Sequence, residues 1–104
     1  MSDEGGKETP AATAAEEREE LIIRNRLGLH ARAAAALVQL ARSFSCDIQI
    51  EKGEKRVSGK SIMSVLQLAA LQGDLIVVSA TGPDSRRALD AIGRLVSERF
   101  GEPE

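Results

Sequence analysis

The sequence predicts an α+β domain of two layers, a four-stranded sheet covered on one face by three helices. Three observations carry this. The apolar residues switch between helical and alternating spacing along the chain, which gives the element order β-α-β-β-α-β-α. Glu51-Lys52-Gly53-Glu54 separates two strand-like runs at hairpin distance, so the second and third strands are antiparallel. Leu75-Ile76-Val77-Val78 is a continuous apolar run, as expected of a strand at the centre of a sheet.

The elements follow in order. Leu21-Ile22-Ile23 is a short strand, and Asn25-Arg26-Leu27-Gly28 turns the chain. From Ala31 to Arg42 the spacing predicts an amphipathic helix, with Ala34, Leu37, Val38 and Ala41 on its inner face. Cys46 to Ile50 alternates, Ile48 and Ile50 on one face and Asp47 and Gln49 on the other. Lys55 to Ser58 returns as a polar edge strand. Ser61 to Leu71 predicts a second helix, with Ser61 as its cap and Gly73 as its left-handed stop. Gly82-Pro83-Asp84 opens the third helix, Pro suiting its first position. Ala88, Ile92, Leu95, Val96 and Arg99 mark its inner stripe and rim, and Gly101 and Pro103 close it.

Composition narrows the class. With 104 residues the chain is one domain, long enough to fold without a disulfide or metal staple. No apolar run approaches the roughly 20 residues of a membrane span, so membrane insertion is not expected. The start is acidic and Gly-rich, the wrong chemistry for a signal peptide. Cys46 is the single cysteine, read as a small buried hydrophobe, and these features together predict a cytoplasmic protein. One histidine and one cysteine make a poor metal ligand set, so no metal and no cofactor is expected. Trp and Tyr are absent, which argues against a nucleic-acid stacking surface.

Charge divides the chain. Residues 1–20 hold seven acidic and two basic residues, net −5, leaving +3 for residues 21–104. The first segment also lacks Val, Ile, Leu and Phe, and so predicts a disordered acidic leader that the fold can do without. Residues 21–104 then form a mildly basic domain, suited to acidic protein surfaces or phosphate groups.

The candidate site is Gly28-Leu29-His30-Ala31-Arg32. His30 is the only histidine, and it stands where a Gly turn ends and a strong helix former begins. A helix start leaves unpaired N–H groups and partial positive charge, which makes it an anion site. A ring nitrogen at its mouth, with Arg32 two residues on, is a nucleophile beside a phosphate cradle. The default reading of a lone histidine is a polar surface residue. Here the Gly turn and Arg32 favour a histidine that carries a phosphoryl group.

These residues resemble the active-site signature of the histidine-containing phosphocarrier (HPr) family of the bacterial phosphoenolpyruvate-dependent sugar phosphotransferase system. A second segment, Lys60-Ser61-Ile62-Met63, resembles the family's regulatory serine segment, at the family's own distance of 31 positions from His30. The likeness runs from about Leu21 to Phe100. It implies an open-faced β-sandwich, antiparallel strands in the order 1-4-2-3. It implies that His30 accepts a phosphoryl group on Nδ1 from phospho-enzyme I and donates it to enzyme IIA components, without turnover of its own. The N–H groups of Ala31 and Arg32 would hold the phosphate oxygens and the Arg32 guanidinium would offset its charge. Ser61 would be a regulatory site for a serine kinase and phosphorylase, a role compatible with capping. The chain departs from the family at two places. Ala33 stands where the family has Pro after the arginine, which predicts a looser site and slower transfer. Ser64 stands where many members have Gly.

The second helix carries more apolar residues than one face can bury. Ile62, Met63 and Leu66, with Ala35 and Ala36 of the first helix, form a candidate partner-binding patch on a monomeric carrier. The rival is that the first three belong to the core. A second function class shares the same chemistry: a regulatory phosphoprotein that acts by phosphorylation-dependent protein binding, with no sugar transport.

Overall fold

The computed structural model describes residues 16–104. Its elements are β1 (Glu16–Ile22), α1 (Ala31–Arg42), β2 (Asp47–Lys52), β3 (Lys55–Ser58), α2 (Ile62–Leu66), β4 (Leu75–Thr81) and α3 (Ser85–Ser97). The four strands form one antiparallel sheet in the order β1-β4-β2-β3. The expected element order and strand order both hold, and β4 lies between β1 and β2 as its apolar run requires. Among the described residues no helix is long and apolar enough to cross a membrane.

Side-chain alternation builds the core. Ile76, Val78 and Ala80 of β4 and Ile48 and Ile50 of β2 point to the helical layer and are fully buried. They meet Leu37, Val38 and Ala41 of α1 and Ala88, Leu89, Ile92 and Val96 of α3. The opposite face is polar: Arg18, Arg56, Glu16 and Glu51 link in ion pairs across it. An antiparallel sheet can leave one face to water in this way.

The expected leader is corrected at its inner end. β1 starts at Glu16, five residues before the apolar run, and Glu16 to Glu20 pair with Thr81 to Val77 of β4. The sequence pattern hides this strand because glutamates fill its inward positions. Glu17 accepts from Ser85 Oγ at 3.0 Å, and Glu17 and Glu19 pair with Arg86 of α3. Residues 1–15 of the leader lie outside the described residues. The charge reading changes with the boundary: Glu16, Glu17, Glu19 and Glu20 against Arg18 cancel the +3, so residues 16–104 are neutral. Any basic character is local to the site.

The second helix is also shorter than expected. It ends at Leu66, and Ala69 then adopts φ +50. The stop is therefore Gln67 rather than Gly73, which instead takes φ +91 in the turn that enters β4. At α3, Pro83 precedes the first helical residue, and Arg99 lies past the last. Leu89 is an inner residue that the predicted stripe omits.

Asp84 ties two elements together. Its carboxylate accepts the Ser45 and Cys46 N–H groups at 2.9 Å each, which fixes the start of β2 to the start of α3. These donors, Ser45 first, hold the Asp84 carboxyl at about 2, below the ordinary 3.8. Cys46 is buried as expected, and burial first, then Asp84, pushes its thiol up to about 11. Both the burial and the raised pKa disfavour the reactive thiolate form.

Two expectations follow. A chain beginning at Leu21 should be less stable than one beginning at Glu16 by about 2 kcal/mol, roughly 10 °C in Tm, because five ladder residues and the Glu17 and Glu19 contacts are lost. Thermal melts of the two chains would refute the strand boundary if they coincide. The Asp84 contribution is present above the ordinary carboxylate range and is lost as pH falls through about 2. Urea midpoints should therefore place Asp84→Asn below wild type at pH 7, with the gap closing between pH 4 and pH 2. A gap constant over that range would sink this account.

Candidate functional site

The site begins with a turn that only glycine fits. Gly28 adopts φ +70, and a Cβ there would meet the Ala70 carbonyl oxygen at 2.6 Å. The close approach lets the Leu29 N–H donate to that same carbonyl at 2.9 Å. Asn25 N-terminal to the turn is fully buried, and its Nδ2 donates to the Gly28 carbonyl at 2.7 Å. Leu29 is buried, and the chain then enters α1 with His30 as its N-cap residue in extended conformation.

His30 does not cap the helix with its side chain, and no acidic residue occupies the first turn. No side chain of the helix itself caps its first turn, so partial positive charge lies beside the imidazole ring. The ring lines a pocket of about 350 Å³ with Arg26, Leu27, Arg32, Glu102, Pro103 and Glu104. Arg32 is 71% exposed at the rim of this pocket. Ala33, in the place of the family proline, is buried and keeps its N–H group.

Sequence reasoning missed the most intimate neighbour of His30. Glu102, two residues beyond the expected end of the family likeness at Phe100, places Oε2 at 2.5 Å from His30 Nε2. Its other oxygen accepts from Asn25 Nδ2 at 2.9 Å, and Arg32 Nη1 approaches Oε2 at 3.4 Å. The Glu102 side chain is only 7% exposed. The Asn25 amide first, then His30, hold its carboxyl below the usual range. The chain reaches this position through three successive left-handed residues, Arg99, Phe100 and Gly101, with φ of +59, +55 and +79. Each of the first two costs about 1–2 kcal/mol. Burial of the Phe100 ring, worth about 1.5–3 kcal/mol, offsets much of that. Arg26 completes the clamp: its N–H donates to the Glu104 carbonyl at 2.9 Å and its Nε to the Glu104 carboxylate at 2.8 Å. A Gly-Glu-Pro-Glu tail carries no periodic signal, so only the folded chain reveals these contacts.

Ser61 is the N-cap residue of α2, and the Ser64 N–H donates to its hydroxyl at 3.3 Å. Met63 is 69% exposed and Ile62 is exposed beside it. Leu66 is instead half-buried and packed on the core, and Ala35 and Ala36 are half-buried. The patch is therefore narrower at Leu66 than expected. Leu27 and Leu71 are further exposed apolar residues that the expected patch omits.

Comparison with known proteins decides the family. A model for the PTS HPr component phosphorylation site matches residues 17–98. The chain belongs to the HPr phosphocarrier family. The phosphocarrier protein HPr of Cupriavidus necator is 45% identical over 80 residues, 77% of this chain and 90% of that one. The phosphocarrier protein NPr of Shewanella violacea is 43% identical over 83 residues, 80% of this chain and 91% of that one. Among solved structures, an HPr from Thermoanaerobacter tengcongensis superposes with a TM-score of 0.82 at 41% identity, covering 85% of this chain and 99% of that one. Members of the HPr family are phosphoryl carriers of the phosphotransferase system, proteins that hold the group rather than enzymes that turn it over.

Proposed function

We propose that this HPr-family carrier takes a phosphoryl group on His30 Nδ1 from phospho-enzyme I and passes it to enzyme IIA components. The observation that supports this most is the placement of His30 as the N-cap residue of a 12-residue helix whose first turn holds no acidic side chain. An anion bound there gains roughly 0.3–1 kcal/mol from the helix end. The Nδ1 lone pair forms the new N–P bond as the donor's bond to phosphorus breaks. The N–H groups of Ala31 and Arg32 hold the phosphoryl oxygens, and the Arg32 guanidinium offsets their charge. Exposed Ile62 and Met63, with Ala35, Ala36 and the rim of Leu66, form the face on which both partners dock in turn. The carrier works as a monomer, in the cytoplasm where its partners act. Residues 21–104 hold all of this machinery, and the acidic segment before them adds the first strand residues.

Ser61 is the regulatory position in this reading. Its hydroxyl lies at the start of α2, next in sequence to Ile62 and Met63. Phosphorylation by a serine kinase adds about −1.5 to −2 charge at the docking face and slows transfer. A phosphorylase would reverse it.

Two assays with phosphoenolpyruvate and enzyme I check these roles. His30→Ala should take up no acid-labile phosphate, and Arg32→Ala should be phosphorylated tenfold more slowly or worse, about 1.4 kcal/mol in the barrier, with its melting temperature unchanged. Acid-labile labelling of His30→Ala at the wild-type rate would end the carrier reading. Ser61→Asp should slow acceptance several-fold, and so should Met63→Asp. Wild-type rates for both would remove α2 from the docking face.

A further inference from the structure

The C-terminal tail reaches His30 from the opposite end of the chain. The Glu102 carboxylate has its own support: one oxygen accepts from buried Asn25, and the other lies against the imidazole Nε2 and near Arg32. An ionised carboxylate offers only acceptors. The short contact to Nε2 therefore requires that nitrogen to carry the proton. In the neutral imidazole the other ring nitrogen, Nδ1, is then left with its lone pair. Nothing in the turn or in α1 would make that choice, because the N-cap side chain bonds to no backbone group of its own helix.

We propose that Glu102 is a positioning residue for phosphoryl transfer, fixing His30 in its Nε2–H form so that Nδ1 faces the incoming group. This rests on the carrier reading above. When the Nδ1 lone pair forms the N–P bond, the donor keeps the electron pair of its breaking bond to phosphorus. No proton leaves His30, and the ring gains a positive charge spread to the Nε2–H. That charge develops directly against the Glu102 carboxylate, which opposes it at 2.5 Å without any rearrangement. Arg32, at 3.4 Å from the same oxygen and exposed, is held loosely enough to turn from Glu102 to the phosphoryl oxygens. Donation to the next protein reverses each of these changes. Asn25 serves both sides of the arrangement, setting the turn before His30 and the oxygen opposite it.

The test uses the full chain as wild type, Glu102→Gln and Glu102→Ala, with Glu98→Gln as a control for charge alone on the exposed end of α3. Nitrogen NMR of the unphosphorylated ring reads the tautomer. Wild type should show the Nε2–H form alone, and Glu102→Ala a measurable Nδ1–H fraction. With phosphoenolpyruvate and enzyme I, Glu102→Ala should accept phosphate about tenfold more slowly, with some of it on Nε2. Glu102→Gln keeps an amide oxygen for Nε2–H but not the charge, and should fall between the two. Glu98→Gln should match wild type. A single Nε2–H tautomer, wild-type rate and Nδ1 attachment in both Glu102 variants would overturn the proposal. A wild-type chain that takes no phosphate would overturn the carrier reading instead, and the tautomer measurement would still decide whether Glu102 sets the ring.

Discussion

The arrangement depends on one buried amide. Asn25 Nδ2 donates to the Gly28 carbonyl at 2.7 Å and to the Glu102 carboxylate at 2.9 Å. The first bond holds the turn that brings the chain into α1. The second holds the tail that reaches the ring from the other side. Without it the Gly28 carbonyl and a nearly buried carboxylate would each lose a partner, and buried polar groups left unpaired cost about 1–3 kcal/mol apiece. Gly28 adds a steric condition, since any side chain there would strike the Ala70 carbonyl that accepts from Leu29. His30 is thus placed by contacts drawn from β1's exit, the segment after α2, and the C-terminus.

The sheet order makes this meeting possible. With β4 between β1 and β2, the exit of β1 lies against the entry of β4: the Ile23 N–H donates to the Asp74 carbonyl and Gly73 returns a bond to Ile23. The segment that leads into β4 therefore passes close to Gly28, where its Ala70 carbonyl is needed. α3 packs over β1 and β4, so its far end lies on the same side as the turn. Three left-handed residues then turn Glu102 back onto it. Local strain at Arg99 and Phe100 persists because the Phe100 ring is buried and Arg26 grips the terminal residue.

What could be read in advance divides by the kind of signal. α1, β2 and β4 were legible because their apolar residues repeat at the spacing of the element and end up buried. His30 and Arg32 were legible because a Gly turn before a helix former is a local arrangement. β1 was half hidden: its inward Glu17 and Glu19 are balanced by Arg86 and Ser85, residues some 65 positions or more away, and no window of sequence joins them. The length of α2 was overread because apolar residues continue past Leu66. Leu68 and Ala70 are indeed buried, but on a chain that has already left the helix at Ala69. Glu102 had no local signal, since its meaning lies wholly in contacts with residues 25, 30 and 32.

The replacement of the family proline by Ala33 can be weighed against this geometry. Proline would limit the backbone at the third helical residue and remove an N–H group. Here the same stretch is held by packing: Leu29 on one side of His30 and Ala33 and Ala34 on the other are all buried. The Ala34 N–H donates to the His30 carbonyl at 2.8 Å, which closes the first turn. The backbone of His30 is therefore pinned at both ends without a ring constraint. What proline could not restrain in any case is the rotation of the imidazole about its own side-chain bonds. That freedom is limited by Glu102, a contact made from the tail and independent of the residue at position 33. The looser site expected from Ala33 alone leaves out both restraints, and the backbone and the ring are each held by groups that the local motif does not contain.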